Sequence, residues 1–248
     1  MLAAFRCYID RTFVLYNRPM PRRSHAAVAT TRAEVLEASV RRASVEGLEG
    51  LTIGRLAKDQ AMSKSGLFGL FGDKRQLQLA TLQAGIELFL EEVWEPARSH
   101  PSGLPRLTAL CDQWISFHER EILPGGCFMT TAAVEFDARP GEVHDQTASA
   151  ISAWLELLER EVTRAVERGE LPAKDPPADV AFALNAIASA ASWGYHLTGE
   201  RTAFERARRI MHNLLGGSEA SARASSSACA RSVASRPVAE PRFAGGSR

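Results

Sequence analysis

The chain has 248 residues, 45% hydrophobic and 24% charged, which is ample for a sizeable core and ordinary for a globular protein. It has no run of roughly 18 apolar residues, which excludes a membrane-spanning helix, and its four cysteines are too few for a disulfide scaffold. The net charge of +1 argues at first against a nucleic-acid partner, but it divides into +6 over residues 1–75, −8 over 76–215 and +3 over 216–248; a basic N-terminal segment beside an acidic body points to nucleic-acid binding at the head.

Residues 1–19 mix apolar runs with Arg6, Asp10, Arg11 and Arg18, with no unbroken apolar stretch and no small-residue cleavage site, so they do not read as a secretory signal. Met20 opens a Met-Pro-Arg-Arg-Ser-His stretch that reads as a separate start, so residues 1–19 are expected to be disordered or an over-extended gene start. Residues 1–29 as a whole are expected to form a flexible basic arm. At the other end, residues 216–248 are mostly Ser, Ala, Gly and Pro with scattered Arg. They hold too few large apolar side chains to offset the entropy of ordering, and are expected to be a disordered tail.

Between these ends the pattern is helical throughout. The first helix is predicted over 31–46, with Leu36, Val40 and Ala43 on one face and Gly47 as its stop. A short second helix starts at Thr52, which caps it, with Leu51 and Leu56 at the staple positions and Ile53, Leu56 and Ala57 inward; it ends near Gln60. A short third helix repeats the device: Ser63 caps, Met62 and Leu67 take the staple positions, Leu67 and Phe71 anchor it, and Gly72 ends it. Asp73 caps a long fourth helix with Gln76 at the third position of a capping box; Leu77, Leu82, Ile86, Phe89 and Val93 run along it to Pro96. Further helices are predicted over 103–122, 126–137, 141–169, 177–198 and 202–215, punctuated by Pro101, Pro105, Pro124, Pro140, Pro176 and Pro177.

Two short helices joined by a tight turn and buttressed by a preceding helix describe a helix-turn-helix, whose second helix enters the major groove. Free backbone N–H groups and the positive dipole end at a helix N-terminus attract phosphate, and Thr52 and Ser63 place hydroxyls there. The outward face of the third helix carries Lys64, Ser65, Gly66, Phe68 and Gly69, small enough for close approach to base edges, and Lys74 follows it. Thr52, Ser63, Lys64, Ser65, Gly66, Phe68 and Lys74 are therefore the candidate DNA contacts. Arg18, Arg22, Arg23, His25 and Arg32 precede or open the first helix and can supply an arm. The glycines do not make a phosphate loop: there is no GxGxxG or GxxxxGK[ST] pattern and no preceding strand.

Residues 52–74 read TIGRLAKDQAMSKSGLFGLFGDK. With a T-x-x-x-[IL]-A cluster, a turn, then S-x-x-x-[LI]-[YF]-x-x-F and a Lys three residues on, carried by Thr52, Leu56, Ala57, Ser63, Leu67, Phe68, Phe71 and Lys74, the segment resembles the TetR family of bacterial transcription regulators. The match in order and spacing covers residues 30–90; the body behind it is similar only in length and helical character. The resemblance implies an all-α fold, a three-helix DNA-binding head over 30–90 and a helical ligand-binding and dimerisation body over 91–215. It also implies a homodimer on a double-stranded operator, a small-molecule effector of unknown identity, and repression. Phe68 stands where many members carry Tyr, Leu70 where many carry His, and Gly66 where a larger polar residue is frequent, so weaker or more arm-dependent DNA binding is expected.

In the body, Trp114, His118, Phe128, Trp154 and Trp193 are the candidate ligand contacts: aromatic side chains on several helices fill a core or line a cavity between helices. The predicted 177–198 helix is rich in small residues (Ala181, Ala183, Ala186, Ala188, Ala190, Ala191, Gly194), and the 202–215 helix repeats Phe204, Ala207, Met211 and Leu214 on one face. Paired across a two-fold axis they would form a four-helix interface and set two recognition helices roughly 34 Å apart. The long helix from Asp73 touches both parts and is the natural lever between them. Cys7, Cys111, Cys127 and Cys229 include no CxxC pair, so no metal ligand set is expected, and a thiol sensor at Cys111 and Cys127 is the weaker reading against buried free thiols in a reducing cytoplasm. No nucleophile elbow, HExxH or Rossmann fingerprint is present. No enzyme, cofactor or membrane partner is expected. The alternative is a helical ligand- or partner-binding module with weakened or lost DNA binding.

Overall fold

The computed structural model describes residues 25–216, which contain no strand and fold into helices α1 His25–Glu46, α2 Ile53–Asp59, α3 Lys64–Phe71, α4 Lys74–Phe89, α5 Leu104–Glu119, α6 Phe128–Phe136, α7 Glu142–Glu167, α8 Pro177–Thr198 and α9 Thr202–Leu214. A π-helical turn, Leu90–Trp94, and a last turn, Glu95–Arg98, extend α4. The all-α expectation holds. The expectations for residues 1–24 and for the tail beyond 216 lie outside the described residues. None of the helices is long and apolar enough to cross a membrane.

The local signals act as anticipated. The Thr52 side chain accepts the Arg55 N–H at 3.2 Å, Ser63 the Gly66 N–H at 3.0 Å and Asp73 the Gln76 N–H at 2.8 Å, each such cap contributing about 1 kcal/mol. Only half of the capping box at Asp73 forms, because the Gln76 Oε1 atom is buried with no partner among the described residues.

Three local expectations are corrected. The first helix starts at His25, six residues before the predicted position 31, because Ala26, Ala27, Val28 and Ala29 extend it and Thr30 bonds back to the Ala26 carbonyl at 3.1 Å. Its buried face is Val35, Val40 and Ala43, with Leu36 only partly covered. The fourth helix does not stop at Pro96. The Glu95 N–H bonds the Leu90 carbonyl five residues back, and this widened turn immediately precedes the proline, whose missing N–H and ring a regular α-turn would not accommodate.

In the head, Leu48, Leu51, Leu56, Ala57, Leu67, Phe71, Leu77 and Leu82 form the core. Ion pairs from Arg42 to Asp59 and from Arg55 to Glu46 tie α1 to α2, and Arg42 also pairs with Glu46 one turn along α1. In the body, α8 packs against α7 and α9, and α5 lies against α7, α8 and α9. The loop entering α5 is held by Glu161, a carboxylate 2% exposed that accepts from the Ser102 hydroxyl at 2.7 Å, the Gly103 N–H at 2.9 Å and Arg164 at 2.7 Å.

The face of α9 read as a self-association surface is turned inward instead. Phe204, Ala207 and Met211 are buried within the protomer, the Phe204 ring 4.8 Å from that of Tyr195. Of the small residues of α8, Ala181, Ala188 and Ala191 are likewise buried within the chain.

Candidate DNA-contacting surface and interior cavity

The turn between α2 and α3 sets Ser63, Lys64, Ser65, Gly66, Phe68 and Gly69 on one exposed side of the head, with Leu67 and Phe71 underneath. The Ser63 and Ser65 hydroxyls lie 3.1 Å apart. At Gly66 an added Cβ would lie 3.1 Å from Ser63 Oγ, so a larger side chain there presses on the cap itself. Phe68 is 59% exposed, an unusual position for a phenyl ring. Thr52 is exposed beside this surface, its oxygen occupied by the Arg55 N–H and its proton still available to an acceptor.

The cations of the head divide into two groups. Lys74 Nζ donates to the Glu49 carbonyl and to Glu49 Oε2, both at 2.8 Å. The Lys74 ammonium, aided by Gln78, holds the Glu49 carboxyl below its usual range. The Arg32 guanidinium lies 5.2 Å above the Phe71 ring, so this member of the expected arm braces the anchor of α3. By contrast Lys64, whose stem crosses Gly54 of α2, and Lys58, also exposed, have no carboxylate partner among the described residues. Their charge is not neutralised within the head. Lys58 was not among the expected contacts, although its place at the end of α2 was readable. Arg18, Arg22 and Arg23 lie outside the described residues, and His25 is the first residue of α1.

Within the body, a cavity of about 140 Å³, open on one side, lies between α4, α5, α6, α7 and α8. Its walls are Phe89, Trp114 and Trp154, with Ile86, Leu90, Met129, Val134, Ala150 and Ile151 around them, Cys127 and Ala133 between, and Thr130, Asn185 and Ser189 as the polar members. The three rings meet edge to face: Trp114 and Trp154 at 4.9 Å and 90°, Phe89 and Trp154 at 5.0 Å, Phe89 and Trp114 at 5.8 Å. Val134 is 72% exposed and stands at the rim.

Of the five ligand candidates, Trp114 and Trp154 line this cavity and the other three do not. Phe128 is buried against α4, where its ring occupies the space that a Cβ on Gly85 would need. His118, one turn along α5 from Trp114, is 2% exposed, and neither ring nitrogen has a partner among the described residues. Burial, with the charge of nearby His196 adding to it, pushes the His118 imidazole down to about 4, so it is neutral near pH 7. Trp193 is 56% exposed on the outer face of α8. Cys111 is buried and its thiol is pushed up by that burial, which leaves it unreactive, and Cys127 is buried and free. Cys7 and Cys229 lie outside the described residues, among which no group of three His, Cys, Asp or Glu could hold a metal.

Head and body are joined through α6 and the loop before it. The Glu135 carboxylate accepts the Leu48 N–H at 2.6 Å and the Glu49 N–H at 2.8 Å. Gly47, at φ +75°, permits this approach, since a Cβ there would sit 2.6 Å from Glu135 Oε1. The same helix contributes Met129, Thr130, Ala133 and Val134 to the cavity. In the preceding loop the Gly125 N–H bonds Ser44 Oγ of α1 at 3.1 Å, and the Cys127 N–H bonds Ser192 Oγ of α8 at 3.2 Å. Glu135 is not among the residues expected from the sequence; the one signal for it is a lone carboxylate in the otherwise uncharged stretch of α6.

Comparison with known proteins agrees with this architecture. Residues 103–211 match the family described as tetracyclin repressor-like, C-terminal domain. A TetR transcriptional regulator from Chloroflexus aurantiacus superposes with a TM-score of 0.70 at 23% identity, over 76% of this chain and 95% of that one. A TetR-family regulator from Cytophaga hutchinsonii superposes at 0.67 and 16% identity, over 81% and 98%. AibR, in a crystal structure with isovaleryl coenzyme A and operator DNA, superposes at 0.62 and 22% identity, over 75% and 98%. At these identities the likeness is one of fold. No curated protein sequence matches the chain.

Proposed function

We propose that the chain is a transcriptional regulator of the TetR family, and that it binds a palindromic DNA operator as a homodimer, represses there, and is released when a small molecule enters the cavity of the body. The observation that carries this reading is the exposed face of α3: a capped N-terminus, small side chains and Lys64, which like Lys58 of α2 has no carboxylate partner among the described residues. Thr52, Ser63, Lys64 and Lys74 are assigned to the phosphates, and Ser65, Gly66 and Phe68 to the base edges.

Dimerisation is assigned to α8. Phe182, Ala186, Ala190, Trp193 and Leu197 recur at helical spacing on its exposed face, with Phe182 68% and Leu197 78% exposed, and Ile210 of α9 is exposed as well. A contiguous apolar stripe of this kind favours burial against a second copy. The effector is assigned to the cavity, and α6 to the transmission, since one short helix both lines the cavity and holds the 48–49 amides of the head. The AibR structure, with an acyl-coenzyme A and operator DNA on the same fold, supports a chain of this architecture binding both kinds of partner. An effector shifts the head only by its differential affinity for the two arrangements.

The decisive experiment is a gel-shift titration on the DNA upstream of the protein's own gene at several salt concentrations. Saturable, strongly salt-dependent binding is expected. Binding no tighter than to scrambled DNA would leave the second reading, a ligand-binding module without an operator, which the exposed phenyl ring of Phe68 in the contact face favours.

A further inference from the structure

We propose that the cavity takes one uncharged, single-ring aromatic molecule bearing one neutral hydrogen-bonding group, of the chemical type of a phenol or an aromatic alcohol. The inference rests on assigning the effector to this cavity and adds the chemistry of what enters it.

Size sets the first bound. At about 140 Å³ the space is close to the roughly 150 Å³ of an apolar cavity that holds one benzene. Its walls select a ring. Phe89, Trp114 and Trp154 already meet edge to face, and a fourth ring adds to that cluster at ordinary aromatic spacing.

Charge sets the second bound. No residue lining the cavity is acidic, basic or histidine. A carboxylate or phosphate would lose hydration with no cation among the lining residues to replace it. The ligand is therefore neutral.

The polar members set the third. Asn185 and Ser189 lie one turn apart on α8, and Thr130 is contributed by α6. None of their side chains is hydrogen-bonded to another described residue, whereas the neighbouring Thr131 and Ser192 side chains are both engaged. The Asn185 carboxamide can donate and accept, so a hydroxyl on the ligand finds both roles met. These three side chains are partly exposed, whereas the indole N–H groups of the lining Trp114 and Trp154 are buried with no partner among the described residues; a polar group left without a partner in such a site favours the ligand that supplies one.

The test is a titration of tryptophan fluorescence in the full-length protein, without DNA, at pH 7, with benzyl alcohol, toluene and benzoate as probes. Benzyl alcohol is expected to saturate at one per chain. Toluene is expected to bind about tenfold more weakly, the equivalent of one hydrogen bond of about 1.4 kcal/mol, and benzoate at least about a hundredfold more weakly. Asn185→Leu and Ser189→Ala, each first shown to melt like the parent, should bring the alcohol toward the affinity of toluene. Benzoate binding as tightly as the alcohol, no saturation by either neutral probe, or an alcohol-to-toluene ratio unchanged in both variants overturns the proposal. Because the readout contains no DNA, a failed gel shift with a successful titration overturns only the operator reading, and the reverse result overturns only the ligand class.

Discussion

The carboxylate of Glu135 accepts the backbone N–H of Leu48 at 2.6 Å, although 87 positions separate the two residues in the chain. It accepts the Glu49 N–H as well, and the Glu49 side chain goes on to Lys74 and Gln78 of α4. Glu135, on the helix that also lines the cavity, is thus two hydrogen-bonded steps from Lys74, the first residue of α4, which follows the candidate recognition helix. Glu135→Ala removes two charge-assisted bonds and should lower stability by about 2 kcal/mol, read as a smaller denaturation midpoint. It should also weaken the effect of the ligand on DNA affinity while leaving ligand binding to the free protein unchanged. Coupling as strong as in the parent would exclude α6 as the link.

Lys64 and Lys74 should behave differently on substitution. Lys64 has no carboxylate partner among the described residues, so Lys64→Ala should weaken binding to all DNA sequences alike and reduce the salt slope by about one. Lys74 is shared with Glu49. Lys74→Ala removes the cation and also leaves the Glu49 carboxylate uncompensated beside the DNA, so it should cost more affinity than Lys64→Ala. Gel-shift titrations from low to moderate salt separate the two, and an unchanged slope for Lys64→Ala would remove that residue from the phosphate contacts.

His118 should make the fold acid-sensitive. Its folded value is about 4 against an ordinary 6.5, so between these values the unfolded chain binds the proton that the folded chain refuses. Stability is fully present above pH 6.5 and falls as pH drops toward 4, by about 3 kcal/mol in total. His118→Leu should flatten the melting temperature over that interval relative to the parent; an identical pH profile for both proteins would place the sensitivity elsewhere.

The exposed stripe of α8 predicts the oligomeric state. Phe182→Glu combined with Leu197→Glu places charges on both ends of the stripe while touching nothing in the buried core. Sedimentation should show the parent as a dimer and the double variant as a monomer at micromolar concentration, with far-ultraviolet circular dichroism unchanged. A parent that sediments as a monomer would defeat the assignment before any variant is made.

The existence of the helices and the caps at Thr52, Ser63 and Asp73 were legible in the sequence, because a cap joins a side chain to an N–H only three residues away and so depends on local order alone. The spacing of Leu67 and Phe71 likewise announces which face of α3 is buried. What the amphipathic faces are buried against is not a local property. Phe204, Ala207 and Met211 make a clear stripe on α9, yet only the packing of α5 and α8 around it decides that the stripe is covered within the protomer and that Phe182, Trp193 and Leu197 remain outside. Trp114 and Trp154 could be read as aromatic from the sequence, but the cavity they line exists only where five helices fail to fill the space between them. Glu135 meeting Leu48 and Lys74 turning to Glu49 are long-range pairings of the same kind. The sequence by itself determined the helices and the class of protein they build; the tertiary structure decided which charges are neutralised, which apolar face stays exposed and where a ligand fits, because those outcomes depend on contacts between residues that no spacing along the chain records.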